Sequence, residues 1–219
     1  RDFPPAFNYN TTWWKYNGVV EDYFARVGRI MTEGQAVRDV LLLHPVATGW
    51  SMLGEGRQSR EEVDEYSERL NDFTRALLAT HYDFDFGDEQ IMASDGRVED
   101  RDLWVGQSAY KAVVIPPDTR SLLSSTVDLL QQFLQAGGRV IAFEPLPTMI
   151  EAEPSERLQA LLAGGGVNIV PDSAGLQTAL EAAVPRRVSL RVRRPEDSGS
   201  EYYMQRAFGG RFAYFVVNN

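Results

Sequence analysis

The residues able to do chemistry gather just after four short apolar runs. His44 closes Asp39-Val-Leu-Leu-Leu-His-Pro45, and Thr48, Gly49, Trp50 and Glu55 follow it. Asp88-Glu89, Pro116-Pro117-Asp118 and Glu144-Pro145 stand in the same relation to the runs at 82–86, 111–115 and 139–143. In an open α/β sheet, ligands bind beyond the carboxyl ends of the strands. An aromatic platform, an imidazole and several carboxylates form a mixture that suits a sugar. His44, Trp50, Asp88, Glu89 and Glu144 are therefore the candidates for substrate contact. Each has a plainer reading, because strand-end Asp and Glu also cap the next helix and a lone strand-end histidine also serves structure.

Other chemistries find less support. A small hydrolase using His44 would need a carboxylate within hydrogen-bond reach in an open cleft. Ser51 and Ser59 lack a G-x-S-x-G frame, so no catalytic residue is assigned. The chain has no cysteine, which removes disulfides, thiolate nucleophiles and cysteine zinc sites. His44 and His81 are its only histidines, too few for a multi-histidine metal centre. Asp83, Asp85, Asp88 and Glu89 form a carboxylate-rich stretch whose spacing fits no calcium loop, and a solvated strand edge is expected there. Gly164-Gly165-Gly166 and Val46-Ala-Thr-Gly-Trp50 match no nucleotide or flavin fingerprint. Neither a metal nor a cofactor is expected.

Composition narrows the partners. With 31 acidic against 22 basic residues the formal charge is −9, and such a surface repels phosphate backbones, so nucleic acid is not expected. No apolar run approaches the ~20 residues of a membrane-spanning helix, so no membrane partner is expected either.

The elements that must position these residues follow from hydrophobic periodicity. Val20, Tyr23, Phe24, Val27, Ile30 and Met31 recur at helical spacing and predict a helix from Trp13 to about Met31, stopped by Gly34. Strands are predicted at 39–45, 82–86, 111–116, 139–145 and 167–170, with an edge ribbon around Leu103-Trp104-Val105. Residues 46–58 read as a loop, and Ser59 with Glu62 as the capping box of a helix striped by Val63, Tyr66, Leu70, Phe73 and Leu77. Further helices are predicted at 121–135, ended by Gly137-Gly138, at 154–163 and at 173–183. This alternation predicts a flavodoxin-like α/β three-layer sandwich over 1–185, with an N-terminal arm and helix and a parallel sheet of about five strands. From 186 to 219 the period changes to two. Val188, Leu190 and Val192 alternate with polar residues, and two further strands flank Gly209-Gly210, as in a hairpin. Three antiparallel strands without a covering helix predict the start of a truncated β-sandwich.

Several of these runs resemble the middle of large bacterial glycoside hydrolases of the family 106 α-L-rhamnosidase type. They are Trp13-Trp-Lys-Tyr16, Asp39–Pro45, Tyr82-Asp-Phe-Asp-Phe-Gly-Asp-Glu89, Tyr110-Lys-Ala-Val-Val-Ile-Pro-Pro117, Ala136-Gly-Gly-Arg-Val-Ile-Ala142 and Gly209–Asn218. The class I amidotransferase-like middle domain of family 42 β-galactosidases is the second resemblance. Both imply a catalytic (β/α)8 barrel before such a domain and β-sandwich domains after it; the second also implies a role in oligomerisation. Glycoside hydrolysis needs a pair of carboxyl groups, which in these families come from the barrel, and none of them maps onto this sequence. The resemblance implies an accessory domain of a larger polypeptide, whose partners are the barrel, the sandwich, a sugar and further copies of itself. A free-standing sugar-binding module and the small hydrolase built on His44 stay open beside it. Exposed apolar patches are expected where other domains would dock, with Trp13, Trp14 and the terminal strands among them.

Overall fold

The computed structural model describes residues 8–53, 57–191 and 201–218; Glu55, most of the N-terminal arm and Val192 lie outside them. A 3-10 turn at Trp14–Tyr16 leads into α1 (Asn17–Thr32), β1 (Gln35–Ala36), β2 (Val40–His44), α2 (Val46–Met52) and α3 (Arg57–Ala79). β3 (Phe84–Asp88) and α4 (Glu89–Asp95) precede three short strands, β4 (Gly96–Glu99), β5 (Asp102–Val105) and β6 (Ser108–Tyr110). β7 (Ala112–Ile115), β8 (Ser121–Leu122), α5 (Ser124–Gln135) and β9 (Arg139–Phe143) follow. Next come β10 (Met149–Ile150), β11 (Glu153–Pro154), α6 (Glu156–Leu162), β12 (Val167–Val170) and α7 (Leu176–Ala183). The last two strands are β13 (Glu201–Phe208) and β14 (Arg211–Asn218).

Five strands pair in parallel in the order β12-β9-β7-β2-β3. Counted along the chain from the β3 edge this is 2-1-3-4-5, the doubly wound order of flavodoxin. Its three central strands, β2, β7 and β9, are buried on both faces because helices cover both. Leu41, Leu43, Val113, Ile115, Val140 and Ala142 pack toward Met92 of α4, Val127, Leu130 and Phe133 of α5 and Leu158 of α6. Val40, Leu42, Ala112, Val114, Ile141 and Phe143 pack on the opposite face, toward Phe73 and Leu77 of α3 and Leu176 and Leu180 of α7. Phe73 meets Phe143 edge-on with ring centroids 4.9 Å apart. This is the expected α/β three-layer sandwich.

Several local expectations are corrected. Residues 46–52 form a helix, not a loop: Pro45 precedes it, and Ala47, Thr48 and Met52 are buried along it, so tertiary packing outweighs Gly49 and the β-branched residues. The helix α3 starts at Arg57, which places Ser59 inside it rather than at its cap. The second strand begins at Phe84, two residues late, because Tyr82 turns inward to donate to the Val184 carbonyl and Asp83 is taken by Arg38. Pro154 sits in β11 opposite Met149, and Ser155 caps the helix after it. Residues 188–191 form no strand. At the end of α5 the expected glycine stop is a Schellman motif: Gly137 has φ 88°, its N–H donates to Leu134 O, and Gly138 N–H donates to Phe133 O at 2.8 Å.

The chain divides into two compact units, Arg1–Val37 with Met204–Phe215, and Arg38–Tyr203 with Val216–Asn219. In the first, β13 and β14 form a hairpin across Gly209 and Gly210, both at positive φ (54° and 74°) as a type I′ turn requires. β1 pairs antiparallel with β13. Gly34 permits that approach, since a Cβ there would lie 2.2 Å from the Ala207 carbonyl oxygen. Along α1 only Asn17 is buried. Val19, Val20, Tyr23, Phe24, Ile30 and Met31 are all exposed, so the helical stripe read from sequence lacks a cover among the described residues.

Candidate functional site

The carboxyl edge of the sheet is built by what leaves each strand. β2 and β7 lead away in opposite directions, which in this fold opens a crevice between their ends. Here α2, immediately after β2, enters that crevice, and two buried polar side chains fasten it. Thr48 Oγ1 donates to Ser121 O at 2.8 Å and accepts from the Arg120 and Ser121 N–H groups at 3.0 Å each. Glu89 accepts from Ala47 N–H at 2.9 Å and from Leu123 N–H at 2.7 Å. Both side chains are fully buried. Glu89 is the first residue of α4, Ala47 is the second of α2, and Leu123 is the N-cap of α5. Three helix N-termini thus converge on one carboxylate, and their unpaired N–H groups and dipoles favour its charge. Burial pushes the Glu89 carboxyl above the usual glutamate range, while the amides of Ala47 and Leu123 pull the other way.

Two open cavities remain on either side of this closure, each of about 300 Å³. The first is lined by His44, Leu70, Asn71, Thr74, Phe86 and Asp88. His44 and Asp88 end neighbouring strands in register, a juxtaposition that the sequence reading, which named both as separate candidates, did not state. The imidazole stands edge-on to Phe86, with centroids 5.9 Å apart. Asp88 Oδ1 accepts from the N–H groups of Gln90 and Ile91, capping α4. No hydrogen bond joins Asp88 to His44 among the described residues, so the base-and-carboxylate pair that a hydrolase would need is not formed. Phe86, Asn71 and Thr74 were missed, because nothing in sequence spacing brings the middle of α3 to the end of β3.

The second cavity is lined by Ala47, Trp50, Ser51, Leu123, Glu151 and Ala152. Trp50 supplies its aromatic wall and is 48% exposed. Glu151 was not anticipated: it lies between β10 and β11, a hairpin too short to read from periodicity. Of the remaining candidates, Glu89 is the buried strut described above, and Glu144 is exposed beside the cis Glu144–Pro145 bond, lining neither cavity. The five candidates thus separate into His44 with Asp88, Trp50, buried Glu89, and Glu144.

The carboxylate stretch from Asp83 to Glu89, which runs through β3, is not a solvated edge. Arg38 donates to Asp83 at 2.9 Å and to Asp85 at 2.7 Å, and Tyr110 donates to Asp85 at 2.9 Å. Burial pushes Asp83 up, against the opposing pull of Arg38. No cluster of three or more His, Cys, Asp or Glu among the described residues is arranged to hold a metal ion. No helix among them is long and apolar enough to cross a membrane.

Among solved structures, the rhamnosidase from Novosphingobium sp. PP1Y matches with a TM-score of 0.63 at 16% identity, over 97% of this chain and 20% of that chain. This chain shares the fold of a rhamnosidase segment. It spans a fifth of that protein's length. The apo exo-carrageenase GH42 from Bacteroides ovatus matches at 13% identity over 91% of this chain and 24% of that one, with a TM-score of 0.48. The β-galactosidase from Rahnella sp. R3 matches at 16% identity over 66% and 19%, with a TM-score of 0.43. No protein-family model matches the sequence, and no curated protein matches it.

Proposed function

We propose that this chain is a non-catalytic accessory domain of a glycoside hydrolase of the α-L-rhamnosidase type, docked against a catalytic barrel that supplies the paired carboxylates. The observation that carries the reading is the fold likeness to the rhamnosidase, which takes in nearly all of this chain within a fifth of the other. The bare face of α1 supports it. A helix that exposes Val20, Tyr23, Phe24, Ile30 and Met31 presents the apolar stripe that normally faces a packed neighbour. On this reading residues 186–219 open a following β-sandwich, and the domain also serves self-association.

The experiment compares this chain alone with the longer polypeptide its gene encodes. Purified alone, the chain leaves an aryl α-L-rhamnoside intact; joined to a preceding barrel, the polypeptide hydrolyses it. Phe24→Glu, on the exposed face of α1, then lowers the thermal stability of the longer polypeptide and leaves that of the isolated chain unchanged. Turnover by the isolated chain after stringent purification, or a gene lacking any barrel, overturns the proposal.

A further inference from the structure

The cavity beside Trp50 occupies the place where a doubly wound sheet takes its ligand. Its walls come from the exits of three strands: Ala47, Trp50 and Ser51 after β2, Leu123 after β7, and Glu151 and Ala152 after β9. The fastening by Thr48 and Glu89 closes the floor beneath it and leaves this part open. At about 300 Å³ it lies at the small end of ligand pockets.

Its polar groups call for a particular kind of ligand. Ser51 Oγ donates its proton to Thr48 O at 2.7 Å, so toward the cavity it offers only lone pairs. Glu151 Oε1 accepts from Ser124 N–H at 3.3 Å, and an ionised carboxylate donates nothing. A ligand must therefore bring hydrogen-bond donors. It must also bring an apolar face, because Ala47, Leu123, Ala152 and the exposed indole of Trp50 form the rest of the wall.

An independent observation marks the same corner. Glu151 and Ala152 both adopt left-handed backbone, at φ 51° and 67°, in the two-residue turn between β10 and β11. Such a turn favours Asn-Gly, and consecutive non-glycine residues there are strained. Glu151 N–H to Leu122 O and Ala152 N–H to Ser121 Oγ, each 2.9 Å, hold the turn in place. The backbone is thus kept in a costly conformation at the point where it presents a carboxylate to an open aromatic-walled cavity.

We infer that this cavity binds the ring of a neutral sugar, with the C–H face on Trp50 and ring hydroxyls donating to Glu151 and Ser51. The inference rests on the accessory-domain reading for its choice of a carbohydrate. The carboxylate, within a chain of net charge −9, disfavours acidic sugars.

The test follows the tryptophan indole N–H resonances of this chain during titration with L-rhamnose, D-galactose, D-glucuronate and choline. A saturable shift of the Trp50 resonance with a neutral sugar, and none with glucuronate, is the expected result. Trp50→Ala removes that resonance, and with it the response. Glu151→Gln, which keeps the shape of the wall and the Trp50 reporter, weakens binding tenfold or more while the spectrum stays dispersed. A response to choline and not to sugar overturns the inference in favour of a cation site. Sugar-dependent shifts of the other tryptophan resonances that survive both substitutions overturn the location. Silence with every ligand overturns the inference while leaving the accessory reading to the barrel comparison, whose outcome does not depend on this cavity.

Discussion

At the scale of single residues, the outcome turns on where buried polar groups find their partners. Glu89 was a candidate because it follows a strand, and the sequence contains nothing that distinguishes a strand-end carboxylate facing a ligand from one facing two backbone amides. The distinction depends on Ala47 and Leu123, 42 and 34 residues away. Removing the carboxylate leaves the buried Ala47 N–H and the part-buried Leu123 N–H without acceptors, at about 1–3 kcal/mol each. Glu89→Ala is therefore expected to lose about 3 kcal/mol of unfolding free energy, seen as a lower urea midpoint with an unchanged slope. Asp83 and Asp85 carry the same lesson. Their capture by Arg38 was not legible, because Arg38 precedes a different strand and Asp83 lies just outside β3. His44 and Asp88 were named separately as strand-end residues, and it is the parallel register of β2 and β3 that brings them level.

Elements were legible in proportion to their burial. β2, β7 and β9 are continuous apolar runs that little else in a globular chain resembles, and their positions were found to within two residues. α2 was hidden because its residues, Val46-Ala-Thr-Gly-Trp-Ser-Met52, carry weak helix propensity, and the contacts that make it a helix are tertiary. The Gly209-Gly210 turn was plain, since two successive left-handed positions call for glycine. Nothing lies within 4 Å of a Cβ built on either glycine, so a substitution there pays only in backbone conformation. Gly210→Val is expected to cost about 1–2 kcal/mol and to speed amide exchange across β13 and β14 while the five-stranded sheet keeps its protection. Phe143→Ala acts on that sheet instead: it empties the contact with Phe73 and is expected to cost about 3–5 kcal/mol by thermal or urea unfolding.

For the whole molecule, two carboxylates set opposing limbs of stability against pH. Burial pushes Asp39 up, but Arg187 and Lys111 outweigh it, and the group stays below its ordinary 3.8. Its contribution is present above that value and is lost as pH falls through the folded pKa. Glu89 is raised above its ordinary 4.5, so its contribution is full below 4.5 and is lost as pH rises through the folded pKa. Unfolding free energies measured across pH are expected to show a flatter acid limb in Asp39→Asn and a flatter decline above pH 4.5 in Glu89→Gln. The parallel sheet of about five strands with helices on both faces was legible because alternating strands and helices leave few ways to wind a sheet. The last sheet has a more practical consequence. β14 is an outer strand, and Phe212, Tyr214 and Val216 are exposed along it. Such a rim can template a foreign strand, so concentrated solutions of the chain should form fibrils that bind thioflavin, and Tyr214→Lys should delay them.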